Sequence, residues 1–195
     1  VEELIAEVER SISILESEKE HEGLARAFRL LWSVHMMGCR YGAGEHAARR
    51  LIEHAEAAGD AVMQARALPW LAVCAEYGPA PVEDAIKTCE EIFGRTGTDR
   101  KSEANTIRVL AHLEAMRGNF ERARELYGLV KANLEELGWK RIAALAALVS
   151  GTVEMLAGDA VAAERELRHS YEILHGLGEK NYISTIAGDL AEALY

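Results

Sequence analysis

Apolar residues recur at intervals of three and four along nearly the whole chain, as at Phe120, Ala123, Leu126, Tyr127, Val130 and Leu134. That spacing lays an apolar stripe along one side of a helix, and no segment alternates apolar and polar residues long enough to argue for a strand. The pattern predicts helices over 2–18, 21–38, 44–58, 60–77, 81–94, 99–117, 119–137, 139–157, 159–177 and 180–195. Asp60, Asp99, Asn119 and Asp159 stand where N-caps belong, with side-chain oxygens able to accept an unpaired N–H of the first turn. Pro81 suits a first helical turn, where no N–H is needed. Pro69 falls well inside a helical stretch, so a kink is expected there, or a break near Ala67 or Leu68.

The helices repeat. Residues 110–123 align without a gap on residues 150–163, and 134–138 on 174–178. Gly38, Gly78, Gly118 and Gly158 keep one spacing of 40, while Gly59, Gly97, Gly138 and Gly178 lie about half a unit out of phase. Glycine closes a helix because it enters the left-handed region cheaply, so two sets in antiphase mean two helices per unit. The expected fold is all-α, a right-handed superhelical array of antiparallel helix pairs in a single helical-repeat domain. Its units run over 1–20 (partial), 21–59, 60–98, 99–138, 139–178 and 179–195 (partial).

Leu110-Ala111, Gly118, Phe120, Ala123 and Tyr127 in one unit, and Gly151, Gly158, Ala160, Ala163 and Leu167 in the next, resemble the tetratricopeptide family. Ile107 and Glu114 stand where that family has Trp and Tyr, the Pro after the second helix is missing, and the unit is longer than usual. Those departures are similar to the longer-helix variant of large bacterial regulators. Residues 103–195 resemble the C-terminal repeats of proteins that join a nucleotide cyclase or helix-turn-helix domain to a signalling ATPase. The segments from Leu113 to Tyr127 and from Ala162 to Arg168 carry that likeness. The resemblance implies a fragment that is not itself an enzyme. It would be a protein-interaction and regulatory module, or alternatively an inducer-sensing module of a transcriptional regulator. The helices at either end look cut, so a neighbouring domain or end-to-end self-association is expected to cover them.

Composition narrows the partners. With 22 Lys+Arg against 32 Asp+Glu the net charge is -10, and no basic stripe is present to release counterions from a nucleic acid. No apolar run reaches the roughly 18–20 residues of a membrane span, and the N-terminus is acidic where a signal peptide is basic, so a cytoplasmic chain is expected. Cys39, Cys74 and Cys89 are an odd number, widely spaced, and read as buried small hydrophobes.

The chemical motifs are weak. Gly42-Ala-Gly44-Glu-His-Ala47 matches a loose dinucleotide fingerprint, but a helix precedes it where a strand is required, so it reads as an inter-helix turn. Residues 97–102 suggest a phosphate loop, yet Arg100 stands where Gly must precede the lysine. His21-Glu22 lacks the second histidine of a zinc-protease helix, and His35 with Cys39 supplies only two ligands. Glu16, Glu20, Glu22, Glu135 and Glu136 read as a solvated face. No cofactor and no metal are therefore expected.

What remains is the row of first-helix positions that do not pack on the second helix of their own pair. Aligned on the glycines, these are Phe28, Trp32, His35 and Met36; Leu68, Ala72, Ala75 and Glu76; Asn105, Arg108, His112 and Met116; and Leu145, Leu148, Thr152 and Met155. Aromatic and methionine anchors with a few polar groups suit an extended peptide or a partner helix, so this row is the expected concave groove.

Overall fold

The computed structural model describes residues 1–95 and 100–195. Gly97 and Asp99, with the beginning of the phosphate-loop-like stretch and of the helix expected from 99, lie outside the described residues. The chain is all-α, a helical repeat array whose successive helices pack in adjacent pairs. In order they are α1 (Glu2–Glu18), α2 (His21–Met37), α3 (Tyr41–Ala57), α4 (Ala61–Tyr77), α5 (Val82–Phe93), α6 (Arg100–Met116), α7 (Phe120–Glu136), α8 (Lys140–Leu156), α9 (Ala160–Gly176) and α10 (Ile183–Ala193). Among the described residues, no helix is long and apolar enough to cross a membrane.

Two compact units divide the chain, Val1–Ser102 and Glu103–Tyr195. In the first, α2 packs on α1 and α3, and α4 on α3 and α5. Its interior is rich in alanine: Ala47, Ala48, Ala55, Ala67 and Ala72 are all buried beside Leu24, Leu51 and Leu71, which brings helix backbones close together. In the second, the stripes of α6, α7 and α8 interlock around Ile107, Leu126, Val130, Leu134, Val149 and Val153. There α9 packs on both α8 and α10. Gly151 sits under Leu167, so close that a Cβ would come within 2.6 Å of that side chain.

Five of the helix ends follow one rule. After α3, α7, α8 and α9 a glycine takes positive φ, at Gly59, Gly138, Gly158 and Gly178, or at Gly118 after α6. The next residue's N–H then reaches back to a carbonyl in the last turn, as Asn119 to Glu114 (2.8 Å) and Asp159 to Glu154 (2.9 Å). Two expected glycines differ. Gly38 keeps φ at -95° and Gly78 at -78°. After α2 the left-handed residue is Cys39, one position later, so the helix end has slipped by a residue against the repeat spacing. Cys39 is exposed as a result and is not the buried hydrophobe expected, whereas Cys74 and Cys89 are buried.

Three further expectations are corrected. The Gly42–Gly44 segment is the first turn of α3, not a loop: Gly44 is buried against the sulfurs of Cys74 and Met36, and its missing side chain lets α3 close on α2 and α4. The break expected near Ala67 or Leu68 does not occur: α4 runs unbroken through Pro69. Proline cannot donate to the carbonyl of Ala65, and the Ser102 hydroxyl, buried near the start of α6, points at that oxygen from 3.5 Å. α10 begins at Ile183, because the Glu179 carboxylate gathers the N–H groups of Asn181, Tyr182 and Ile183 ahead of the helix. Among the expected caps, Asp60 and Asp159 accept from Met63 and Ala162, each at 2.9 Å. Asn119 instead turns its amide to Glu114.

Candidate functional site

The expected groove residues separate into those that face outward and those the core has taken. In the first unit Phe28 is buried, stacked on His54 with ring centroids 5.5 Å apart, under the Arg50 guanidinium. Leu68, Ala72, Ala75 and Glu76 are buried as well. Trp32, His35 and Met36 are brought together on the C-terminal half of α2. The Trp32 indole stacks on Trp70 of α4 at 4.3 Å and 12°, and both rings are half-buried. Met36 Sδ lies 3.6 Å from Cys74 Sγ. Burial pushes the Cys74 thiol up to about 11, against a smaller opposing effect from Trp32.

Polar atoms in this nest lack partners. Trp32 Nε1, His35 Nδ1 and Arg40 Nε are buried and make no hydrogen bond of normal geometry among the described residues. Leaving such groups unpaired costs about 1–3 kcal/mol each, which makes them unusual in an interior. Burial, then the Arg40 charge, holds His35 below the usual histidine pKa, so its ring favours the neutral form.

In the second unit Asn105, Arg108 and His112 follow one face of α6, all half-buried, with Arg108 Nε 3.4 Å from Asn105 Oδ1; Met116 is exposed at the helix end. The α8 members are used internally. Thr152 donates to the Leu148 carbonyl at 2.9 Å, Met155 packs on Ala163, Leu167 and Ala193, and Leu145 and Leu148 pack on the core around Leu174 and Ile186.

Sequence reasoning missed a cleft on other helices. It has a volume of about 250 Å³ and lies among α7, α8 and α9, bordered by Arg124, Tyr127, Gly128, Lys131, Glu154 and Glu166. Arg124 grips the buried Glu154 carboxylate with two bonds, at 2.9 and 2.6 Å. The repeat explains why. Glu114, one unit earlier, is satisfied by Arg117 at 2.7 and 2.8 Å, but Ala157 stands at the position equivalent to Arg117, so Glu154 takes its cation from α7. Burial raises the Tyr127 phenol above its ordinary pKa, Glu166 adds to that, and a hydrogen bond with Ser150 opposes it. The signals in the sequence were a glycine in mid helix and a carboxylate inside an apolar stripe.

The expected solvated carboxylates, Glu16, Glu20, Glu22, Glu135 and Glu136, are all exposed. His21 is not part of a zinc helix; its ring stacks on His54. Among the described residues, no group of three or more His, Cys, Asp or Glu side chains is placed to hold a metal ion.

No protein-family model matches the chain, and no curated protein does. The chain is similar to the crystal structure of BtubC (BKLC) from P. vanneervenii, with a TM-score of 0.72 and 15% identity, over 98% of this chain and 82% of that one. At such identity the likeness speaks for the fold. It corrects the expected parentage, because the structure found carries the name BtubC and not that of a cyclase-linked or helix-turn-helix-linked regulator. The regulatory-module and inducer-sensing readings go with that parentage. So does the reading of the fragment as no enzyme, which had placed catalysis in the parent's other domains. The glycine and alanine pattern behind those readings encodes how helix pairs pack, and unrelated helical arrays share that requirement.

Proposed function

We propose that the α2–α4 face of the first unit takes an extended segment of a protein partner, anchored on Trp32 and Trp70. The observation that supports this reading is the half-buried indole stack at 4.3 Å beside two buried groups, Trp32 Nε1 and His35 Nδ1, that make no hydrogen bond of normal geometry among the described residues. Large aromatic rings supply contact area at small entropic cost, which is why tryptophan dominates binding hot spots. A peptide backbone offers both carbonyl acceptors and N–H donors, the groups that Trp32 Nε1 and a neutral His35 ring lack. The half-buried row Asn105, Arg108 and His112 on α6 is a second contact surface of the same kind. We also place the protein in the cytoplasm, a reading supported by three free cysteines, one of them exposed.

The test is a selection of peptides from a random library on the full chain. Binding would be read by fluorescence in a Trp139→Phe background, where the only indoles left are Trp32 and Trp70. Selected peptides should change the emission and lose about ten-fold or more in affinity with Trp32→Ala. Peptides that bind the Trp32→Ala chain equally well would overturn the assignment of this face.

A further inference from the structure

We propose that the cleft among α7, α8 and α9 is a second docking site, for a peptide segment of a partner that carries an Asp or Glu side chain. The segment's backbone would pass over Gly128 and its carboxylate would bind Lys131. This inference is independent of the α2–α4 face and uses none of its residues.

The first support is Gly128. It sits in the middle of α7, where glycine is a poor helix former, yet a Cβ there would meet nothing within 4 Å. The chain's own packing therefore has no use for the missing side chain, in contrast with Gly151, whose bareness makes room for Leu167. What Gly128 provides is exposed backbone on the border of the cleft, where another chain can approach closely.

The second support is the distribution of charge. Arg124, Gly128 and Lys131 follow one another at intervals of four and three, so they share one face of α7 with the glycine between the two cations. Arg124 is committed to Glu154 through Nε and one terminal nitrogen. Lys131 makes no hydrogen bond or ion pair among the described residues, although Glu166 borders the same cleft. Glu166 is instead within 3.6 Å of Arg165. A half-buried, uncommitted cation on the border of a cleft is complementary to a carboxylate, and the spare terminal nitrogen of Arg124 offers further donors. Glu166, on α9, borders the same cleft and suits a backbone N–H of the bound segment.

The experiment is a selection of random dodecapeptides on the full chain, eluted and sequenced against the Lys131→Gln and Gly128→Leu variants. Both substitutions fall on the half-buried or exposed surface of α7, and a thermal melt of each checks its folding. The expected result is a population enriched in Asp and Glu whose affinity falls about ten-fold or more with either variant, falls with added salt, and is unaltered by Trp32→Ala. Enrichment without carboxylates, no enrichment, or binding indifferent to both α7 variants would overturn the proposal. Free succinate is the control: if it protects the cleft as well as the peptides do at equal concentration, the ligand is a small carboxylate and the peptide assignment fails. Loss of binding with Trp32→Ala alone would support the α2–α4 face and refute this cleft.

Discussion

His21 and His54 meet through their Nδ1 atoms at 3.1 Å, with rings stacked at 5.3 Å. Such a bond needs one protonated and one bare nitrogen. Because His54 Nε2 is buried without a partner, the tautomer that spares an orphan N–H has Nδ1–H on His54, donating to His21. Phe28 also stacks on the His54 ring, with centroids 5.5 Å apart.

This pair makes the first unit sensitive to acid. Burial, then Arg50 and His21, hold His54 below its ordinary pKa of 6.5, while the smaller effects of Glu53 and Glu16 oppose them. Below about pH 6.5 the unfolded chain takes up a proton that the folded chain resists, so stability is full above that pH and falls as pH drops toward the folded-state value. His54→Phe keeps an aromatic ring on Phe28 and removes the titration. Urea unfolding measured between pH 7 and 5 should show a shallower fall for the variant. Some slope will remain from His35, whose pKa is lowered in the same direction.

Arg124→Ala strands the carboxylate of the buried Glu154. Breaking a fully buried pair costs about 3–5 kcal/mol, but Arg124 is half in water, so a loss of about 1–3 kcal/mol is expected. Adding Glu154→Gln should restore part of it, and the double-mutant cycle by chemical denaturation measures the coupling.

Gly151→Ala and Gly128→Ala should have opposite signs. At 151 the new methyl would strike Leu167, itself fully buried, and overpacking of about 1–3 kcal/mol outweighs the roughly 0.5–1 kcal/mol that alanine gains in a helix.

At 128 nothing is struck, so only the helix gain of about 0.5–1 kcal/mol remains and the melting temperature should rise by a few degrees. Differential scanning calorimetry of the two variants checks both signs.

Much of the fold is legible in the residues. The 40-residue spacing of glycines and the three-and-four spacing of apolar positions located the helices to within about three residues at each end, because both express local requirements: a left-handed residue at a helix stop, and one face for burial. The errors came where a distant group decided the matter. Pro69 sits in an unbroken helix whose freed Ala65 carbonyl is faced by Ser102 of α6. The Gly42–Gly44 segment is helical because Met36 and Cys74 close over Gly44.

The candidate site was less legible. Trp32 was visible in the aligned row, but its partner Trp70 lies 38 residues on, outside the 40-residue register, and follows a proline that argued for a break. Phe28 and Met155 fell in the same row, but Phe28 is buried in the core and Met155 packs half-buried against Ala163, Leu167 and Ala193.

The sequence alone determined the helices, their pairing and the repeat, since these depend on neighbours three, four and forty residues away that the chain itself spells out. Tertiary structure decided which members of a helical face are buried, which carboxylate claims which arginine, and where a cleft opens. Those outcomes turn on distances between side chains of different helices, and a one-residue slip at a helix end, as at Cys39, is enough to change them.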